Sequence, residues 1–352
     1  MNKKLLSILL ALIIGLSLIA LVLVKDDTHD STTMPEIPAK AKPISMIIDA
    51  DIGNSTDDLF ALEIAYRLMD LGRVKLEGVI VSRVGDGYAD LADLYNTYYG
   101  YPNIPIGVER DGVSGSKMYI DYRSLDKLKN SDDINMFART DKDFSDNLDG
   151  CKLYRKILSQ AEDHSVKVVV LGFVSAIVHL MESQPDEFSN LSGMELIRQK
   201  VDSLYFMGTK LGEGSGLGYN LKFNIPLAKK FLENWPKEVP AYLSPSPVGD
   251  AIEYRPEQVL ADLAYNERNP IRQVYEKWNC DTGQMMWDPL CVINAVSPDI
   301  FTYSPTGTIA VSDEGAITFT ETKDGPFRYQ IAGNKVWCEQ ILSYIRYYTM
   351  MH

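Results

Sequence analysis

The 352-residue chain is poor in the side chains on which many enzymes build their sites: it has four histidines and four cysteines. Cys151, Cys280, Cys291 and Cys338 are widely spaced, with no Cys-x-x-Cys pair and no Cys/His cluster, which argues against zinc. His164 and His179 have no acidic or thiol neighbour at ligand spacing and read as surface or satisfied core positions. There is no Gly-x-Ser-x-Gly stretch, so a serine hydrolase is set aside. Positive charge is also scarce. Thirty-five Lys and Arg stand against 48 Asp and Glu, a formal charge of -13 that lacks the basic face a nucleic-acid partner needs. No internal repeat is present.

The N-terminus is different in kind. Leu5 to Val24 form an uncharged apolar stretch, preceded by Lys3-Lys4 and followed by Lys25-Asp26-Asp27, with no lipobox Cys nearby. Such a stretch is long enough to span a bilayer, and no small-x-small cleavage site follows it. Residues 1–25 are therefore expected to be an uncleaved signal anchor. The membrane would then be a partner, with the domain on the extracytoplasmic side of the cytoplasmic membrane, or secreted if the segment is cleaved. Residues 26–43, with Pro35, Pro38 and Pro43 among Ser and Thr, read as a flexible tether, and 44–352 as one domain. An exported location permits a disulfide; Cys280 and Cys291 are the nearest pair in sequence, but spacing alone does not fix a pairing.

What the chain does have is acid, concentrated in one place. Asp49, Asp51, Asp57 and Asp58 lie in Ile47-Ile48-Asp49-Ala50-Asp51-Ile52-Gly53-Asn54-Ser55-Thr56-Asp57-Asp58. The run Ser45-Met46-Ile47-Ile48 reads as a buried strand, and Leu59, Leu62, Ile64, Ala65 and Leu68 follow at helical spacing, so the acids occupy a strand-to-helix turn. Open α/β sheets place their sites at such turns. A helix cap at Thr56 or Asp57 would account for one or two of the acids. It leaves Asp49 and Asp51 without a partner. A divalent ion held by hard carboxylate oxygens, Ca²⁺ or Mg²⁺, would offset the repulsion. Asp49-Ala50-Asp51 as the nucleophile pair of an aspartyl phosphatase is ranked lowest, because Gly53 stands where a Thr or Val is expected.

Strand patterns at 45–50, 75–81, 104–107, 166–171, 202–207 and 239–243 alternate with helical ones at 57–70, 88–99, 147–162, 174–183 and 226–234. This predicts an α/β fold with a mostly parallel open sheet and helices on both faces. Gly212, Gly214, Gly216 and Gly218 mark a mobile loop rather than a dinucleotide fingerprint, since no clear helix follows them. Thr308–Val311 and Ala316–Phe319 flank a turn and read as an appended C-terminal hairpin.

These residues resemble the inosine-uridine-preferring nucleoside hydrolases. The Asp-x-Asp-x-Gly-Asn-x-x-Asp-Asp run looks like that family's opening signature in a longer-turn form. Val168–Ser175 is similar to its central strand, Lys222-Phe223-Asn224 carries a matching sugar-binding Asn, and Trp287-Asp288-Pro289-Leu290 resembles the motif holding the last metal ligand. The resemblance covers about residues 44 to 320 and implies a Rossmann-like nucleoside hydrolase fold. It implies one Ca²⁺ held by Asp51, Asp58, Asp288 and the Leu171 carbonyl, with Asp51 taking a proton from a bound water. It further implies that Asp57 and Asn224 bind sugar hydroxyls, with Asp86 in place of an Asn common after the second strand. Trp287 either stacks on a nucleobase or packs in the core. Lys222 stands where the family commonly has Glu, and a cation there opposes charge building on the sugar. Two functions follow: hydrolysis of ribonucleosides or a related N-riboside, or metal-dependent binding of a nucleoside or sugar-like ligand by a catalytically weakened member. A homo-oligomer is left open.

Overall fold

The computed structural model describes residues 42–351 apart from 116–119, 146, 213, 215 and 279. The stretch expected to be an anchor, and all of the tether but its last two residues, lie outside the described residues. Among the described residues no helix is long and apolar enough to cross a membrane. The transmembrane helix, the membrane partner and the anchored location are corrected on that finding.

Six strands pair in parallel: β1 (Ile44–Ala50), β2 (Val74–Val81), β3 (Ile106–Val108), β4 (Val166–Val170), β5 (Val201–Met207) and β6 (Ala241–Ser244). Their sequences are near-continuous apolar runs because helices cover both faces, and Ile47, Ile48, Val168, Val169 and Val170 are fully buried. Helices Asp57–Asp70, Tyr88–Tyr98, Gly150–Gln160, Ser175–Glu182 and Ile225–Asn234 fall where the 3.6-residue period places them. The spatial order β3-β2-β1-β4-β5-β6 has consequences for function. The chain runs outward from β1 through β2 to β3, then returns to lay β4 on the other side of β1. The order thus reverses at β1 and β4, and ligands bind at the carboxyl ends of strands beside such a reversal.

Three expectations change. After the short strands β7 (Glu253–Tyr254), β8 (Gln284–Met285) and β9 (Thr302–Tyr303), the hairpin forms from β10 (Gly307–Val311) and β11 (Ile317–Glu321), but it is not an appendage. A further strand, β12 (Phe327–Ile331), pairs with β6 in parallel and with β10, so the main sheet continues into the hairpin. The glycine-rich loop is tied down: Thr209 bridges Leu217, Gly216 bridges Ala316, and the Gly218 N–H donates to the Gly208 carbonyl at 2.7 Å. All four cysteines are free, so the permitted disulfide does not form.

Candidate active site

The ends of β1 and β4 approach closely. The Leu171 and Gly172 N–H groups donate to the Asp49 carbonyl at 2.7 and 3.3 Å, and a Cβ on Gly172 would stand 2.3 Å from the Asp51 nitrogen. Only glycine fits there. Asp49 is fully buried beneath the turn, one oxygen accepting from the Tyr154 hydroxyl at 3.0 Å and the other unpartnered. Burial pushes its carboxyl up to about 8.

Beyond Asp51 the chain turns through Gly53, whose φ of +108° favours glycine. The Tyr122 hydroxyl pins the turn, accepting from the Gly53 N–H at 3.2 Å and donating to the Ser55 carbonyl at 2.5 Å. Thr56 stands at the N-cap position of helix Asp57–Asp70, yet its side chain does not cap the helix. It donates instead to Gln284 Oε1 at 3.1 Å. Capping therefore does not account for the acids. Asp58 and its neighbour Asp57 lie in the first turn of this helix, and Asp288 lies in the first turn of helix Trp287–Val296, which packs against it. Carboxylate oxygens of Asp57, Asp58 and Asp288 lie within 4.8 Å of one another, all buried. Two helix N-termini thus converge on one cluster of negative charge, which their dipoles favour. Desolvation still dominates: burial raises Asp57 to about 6, and it raises Asp58 and Asp288 well above the usual range, with the neighbouring acids adding to the effect. Asp58 Oδ1 is buried with no hydrogen-bond partner. An orphaned carboxylate oxygen among three hard donors is what a divalent cation would satisfy.

Asp51 lies beside this trio, close enough for its charge to raise Asp57, Asp58 and Asp288, but it has a partner of its own. Ala50 pairs with Val81, so the residues just past β1 and β2 come side by side. Arg83 reaches back from there. Its Nη2 donates to Asp51 Oδ2 at 2.5 Å, its Nε to the Asp51 carbonyl at 3.1 Å and its Nη1 to the Ser114 carbonyl at 2.8 Å. The guanidinium is wholly buried, 4.9 Å from the Phe173 ring centroid. Burial raises the Asp51 carboxyl, and Arg83 opposes that rise.

The remaining expected residues are spread around the cluster. The Leu171 carbonyl accepts from Asn220 Nδ2 at 2.5 Å, and the same amide reaches the Met207 carbonyl at 3.2 Å, joining β4 to β5. Asn224 caps helix Ile225–Asn234, its side chain accepting from the Leu227 N–H at 3.1 Å. Lys222 is exposed, with Nζ 4.8 and 5.1 Å from the Tyr219 and Phe223 ring centroids. Phe223 meets Phe173 edge-on, so Lys222 sits at the outer end of an aromatic row whose inner end is Arg83. Asp86 is exposed in the turn after β2 and is not drawn into the cluster. Trp287 is half-buried, packed over Gly249 with its Nε1 donating to Asp250 at 2.8 Å. The sequence pointed to neither Arg83 nor Asn220. The one signal for Arg83 was an arginine two residues past the apolar run Val79–Val81, beyond the end of β2 as Asp51 lies beyond the end of β1.

No protein-family model matches the chain, and no curated protein matches it. Solved structures do. A plant nucleoside hydrolase superposes with a TM-score of 0.66 at 13% identity, covering 88% of this chain and 99% of that one. The inosine-uridine preferring nucleoside hydrolase of Bacillus anthracis gives 0.61 at 16%, with 87% and 99% covered. A type III effector protein, XopQ, solved with adenosine diphosphate ribose, gives 0.63 at 15%, with 88% and 94% covered. The chain has the nucleoside hydrolase fold. At these identities the likeness shows the fold alone.

Proposed function

We propose that the chain is a divalent-metal-dependent hydrolase of the N-glycosidic bond of ribonucleosides or a related N-riboside, with Ca²⁺ as the ion. The observation that carries this reading is the buried trio of Asp57, Asp58 and Asp288, with its unpartnered oxygen, at the carboxyl ends of β1 and β4. The nucleoside hydrolase fold supports it. Asp57, Asp58 and Asp288 would hold the ion, which when bound offsets the repulsion among the acids and lowers the pKa of a coordinated water.

The chain's own residues do the rest. Cleavage of an N-glycosidic bond builds positive charge on the ribose, and a pocket lined by carboxylates favours that charge. Asp51, aimed by the Arg83 fork, accepts the proton of the attacking water at its carboxylate. The Asp51-Arg83 pair also favours a second reading, a binding protein for a sugar-like ligand, because a carboxylate engaged by a guanidinium is a weaker base. The full chain, supplied with Ca²⁺ and a panel of ribonucleosides, separates the two. Release of free ribose that stops on chelation is expected. Ligand binding with no ribose release from any member of the panel would favour the second reading.

A further inference from the structure

Buried carboxylates repel one another, so an ion-free turn that carries them tends to spread unless other parts of the chain hold it. Between Asp51 and Asp57 two side chains from distant parts of the sequence do so. Tyr122, fully buried in the stretch between β3 and helix Gly150–Gln160, accepts from the Gly53 N–H at 3.2 Å and donates to the Ser55 carbonyl at 2.5 Å. Two residues earlier the Ile120 N–H donates to the Asn54 carbonyl at 3.1 Å. Gln284, buried in β8, accepts at Oε1 from both the N–H and the hydroxyl of Thr56, at 3.2 and 3.1 Å. We propose that Tyr122 and Gln284 are positioning residues that hold the acid turn in its ion-binding shape before an ion arrives, so that the pocket's affinity for a divalent ion depends on two side chains engaged with the turn itself. The inference rests on the metal reading above and deepens it.

Each grip is itself anchored. The stretch that carries Tyr122 is tied to helix Tyr88–Tyr98, for Thr140 donates through its N–H and its hydroxyl to buried Asp93 at 2.8 and 2.9 Å, and Arg139 pairs with Asp90. Gln284 pairs with Tyr254 in the β7–β8 ladder, and its Nε2 donates to the Met285 carbonyl at 3.0 Å. The place of Gln284 in the chain adds to its contact. It stands four residues before Asp288, so its amide joins Thr56, the residue just ahead of Asp57 and Asp58, to the segment that delivers the third acid of the trio. Gly53, at φ +108°, gives the turn a conformation few residues adopt, but glycine is permissive and selects no single conformation by itself. Tyr122 and Gln284 remove that freedom in advance. A turn ordered only on binding would subtract the cost of its ordering from the affinity, and groups that orient metal ligands from behind commonly change metal affinity ten- to a hundredfold when lost.

The test is Ca²⁺ titration calorimetry on the full chain and three variants, each checked for its fold by circular dichroism, which needs no turnover. Tyr122→Phe keeps the ring and deletes both hydrogen bonds; Gln284→Met keeps the length and deletes the acceptor. Each should bind Ca²⁺ at least roughly tenfold more weakly than wild type. Tyr66→Phe is the control, because it removes from the helix of Asp57 and Asp58 a buried hydroxyl that donates to Asn96 at 2.8 Å rather than to the turn. It should bind within about threefold of wild type. A general loss of stability moves all three variants alike, whereas loss of the turn's shape moves only the first two. Either of those decides the matter if the other does not fold. Wild-type affinity in a folded Tyr122→Phe or Gln284→Met would overturn the proposal and leave the metal reading standing. An equal loss in Tyr66→Phe would also overturn it. No binding by wild type would overturn the proposal together with the metal reading. Wild-type binding and weakened variants without ribose release would uphold the positioning role and remove the hydrolase alone.

Discussion

Two regions meet at the carboxyl end of the sheet and are built on opposite terms. The acid pocket is buried, has four carboxylates within mutual electrostatic reach, and draws them from one strand end and two helix N-termini. The rim, from Gly208 to Asn224, is partly exposed and holds Lys222 over tyrosine and phenylalanine rings rather than against an acid. The pocket gathers negative charge at considerable cost in desolvation, whereas the rim carries little electrostatic tension. The difference teaches where function is concentrated: perturbations of the pocket should be large and charge-dependent, those of the rim small.

The larger test of that division is the pH dependence of stability without metal. Asp49 has a folded pKa of about 8 against an ordinary value of 3.8, so between those values the folded chain holds a proton that the unfolded chain has released. Stability from this group is fully present below about pH 4 and is lost as pH rises toward 8, at up to about 1.4 kcal/mol per pH unit. Urea unfolding in the presence of a chelator should show a steeper decline from pH 5 to 8 in wild type than in Asp49→Asn. Equal slopes would mean that Asp49 holds no such proton in the folded chain.

The smaller test concerns the rim. Lys222 is solvent-exposed and separated from Asp51 by Phe173 and Arg83, so Lys222→Glu should alter kcat/KM on nucleosides by no more than about threefold, because an exposed charge is screened. A rise of tenfold or more would bring the sugar against Lys222 and erase the distinction between pocket and rim.

These same contrasts explain what the sequence disclosed. The six parallel strands and the helices between them follow from apolar periodicity, and the acid turn from charge placed where an apolar strand ends. Asp288 was legible only through the Trp-Asp-Pro-Leu resemblance, since 230 residues separate it from Asp58 and only folding joins them. Arg83 was hidden because its meaning lies in the β1-β2 register, which sets it beside Asp51. Asn220 was hidden for a similar reason, as its amide links the last carbonyls of two neighbouring strand ends. His179, which showed no partner in sequence, meets buried Glu109 at 3.2 Å, with that carboxylate 70 residues away. In the C-terminal third, helix Lys335–Thr349 and strand β12 lacked a pattern strong enough to predict them, and the hairpin consequently seemed detached from the sheet it extends.

The central claim is that the trio holds one divalent ion, and metal content tests it most directly. Wild-type chain and Asp58→Ala, each equilibrated with Ca²⁺ and dialysed, are compared by elemental analysis, with circular dichroism to verify the fold. One Ca²⁺ per wild-type chain and none in Asp58→Ala is the expected result, because the variant loses the oxygen that has no other partner. Unchanged metal content in a folded Asp58→Ala would contradict the account.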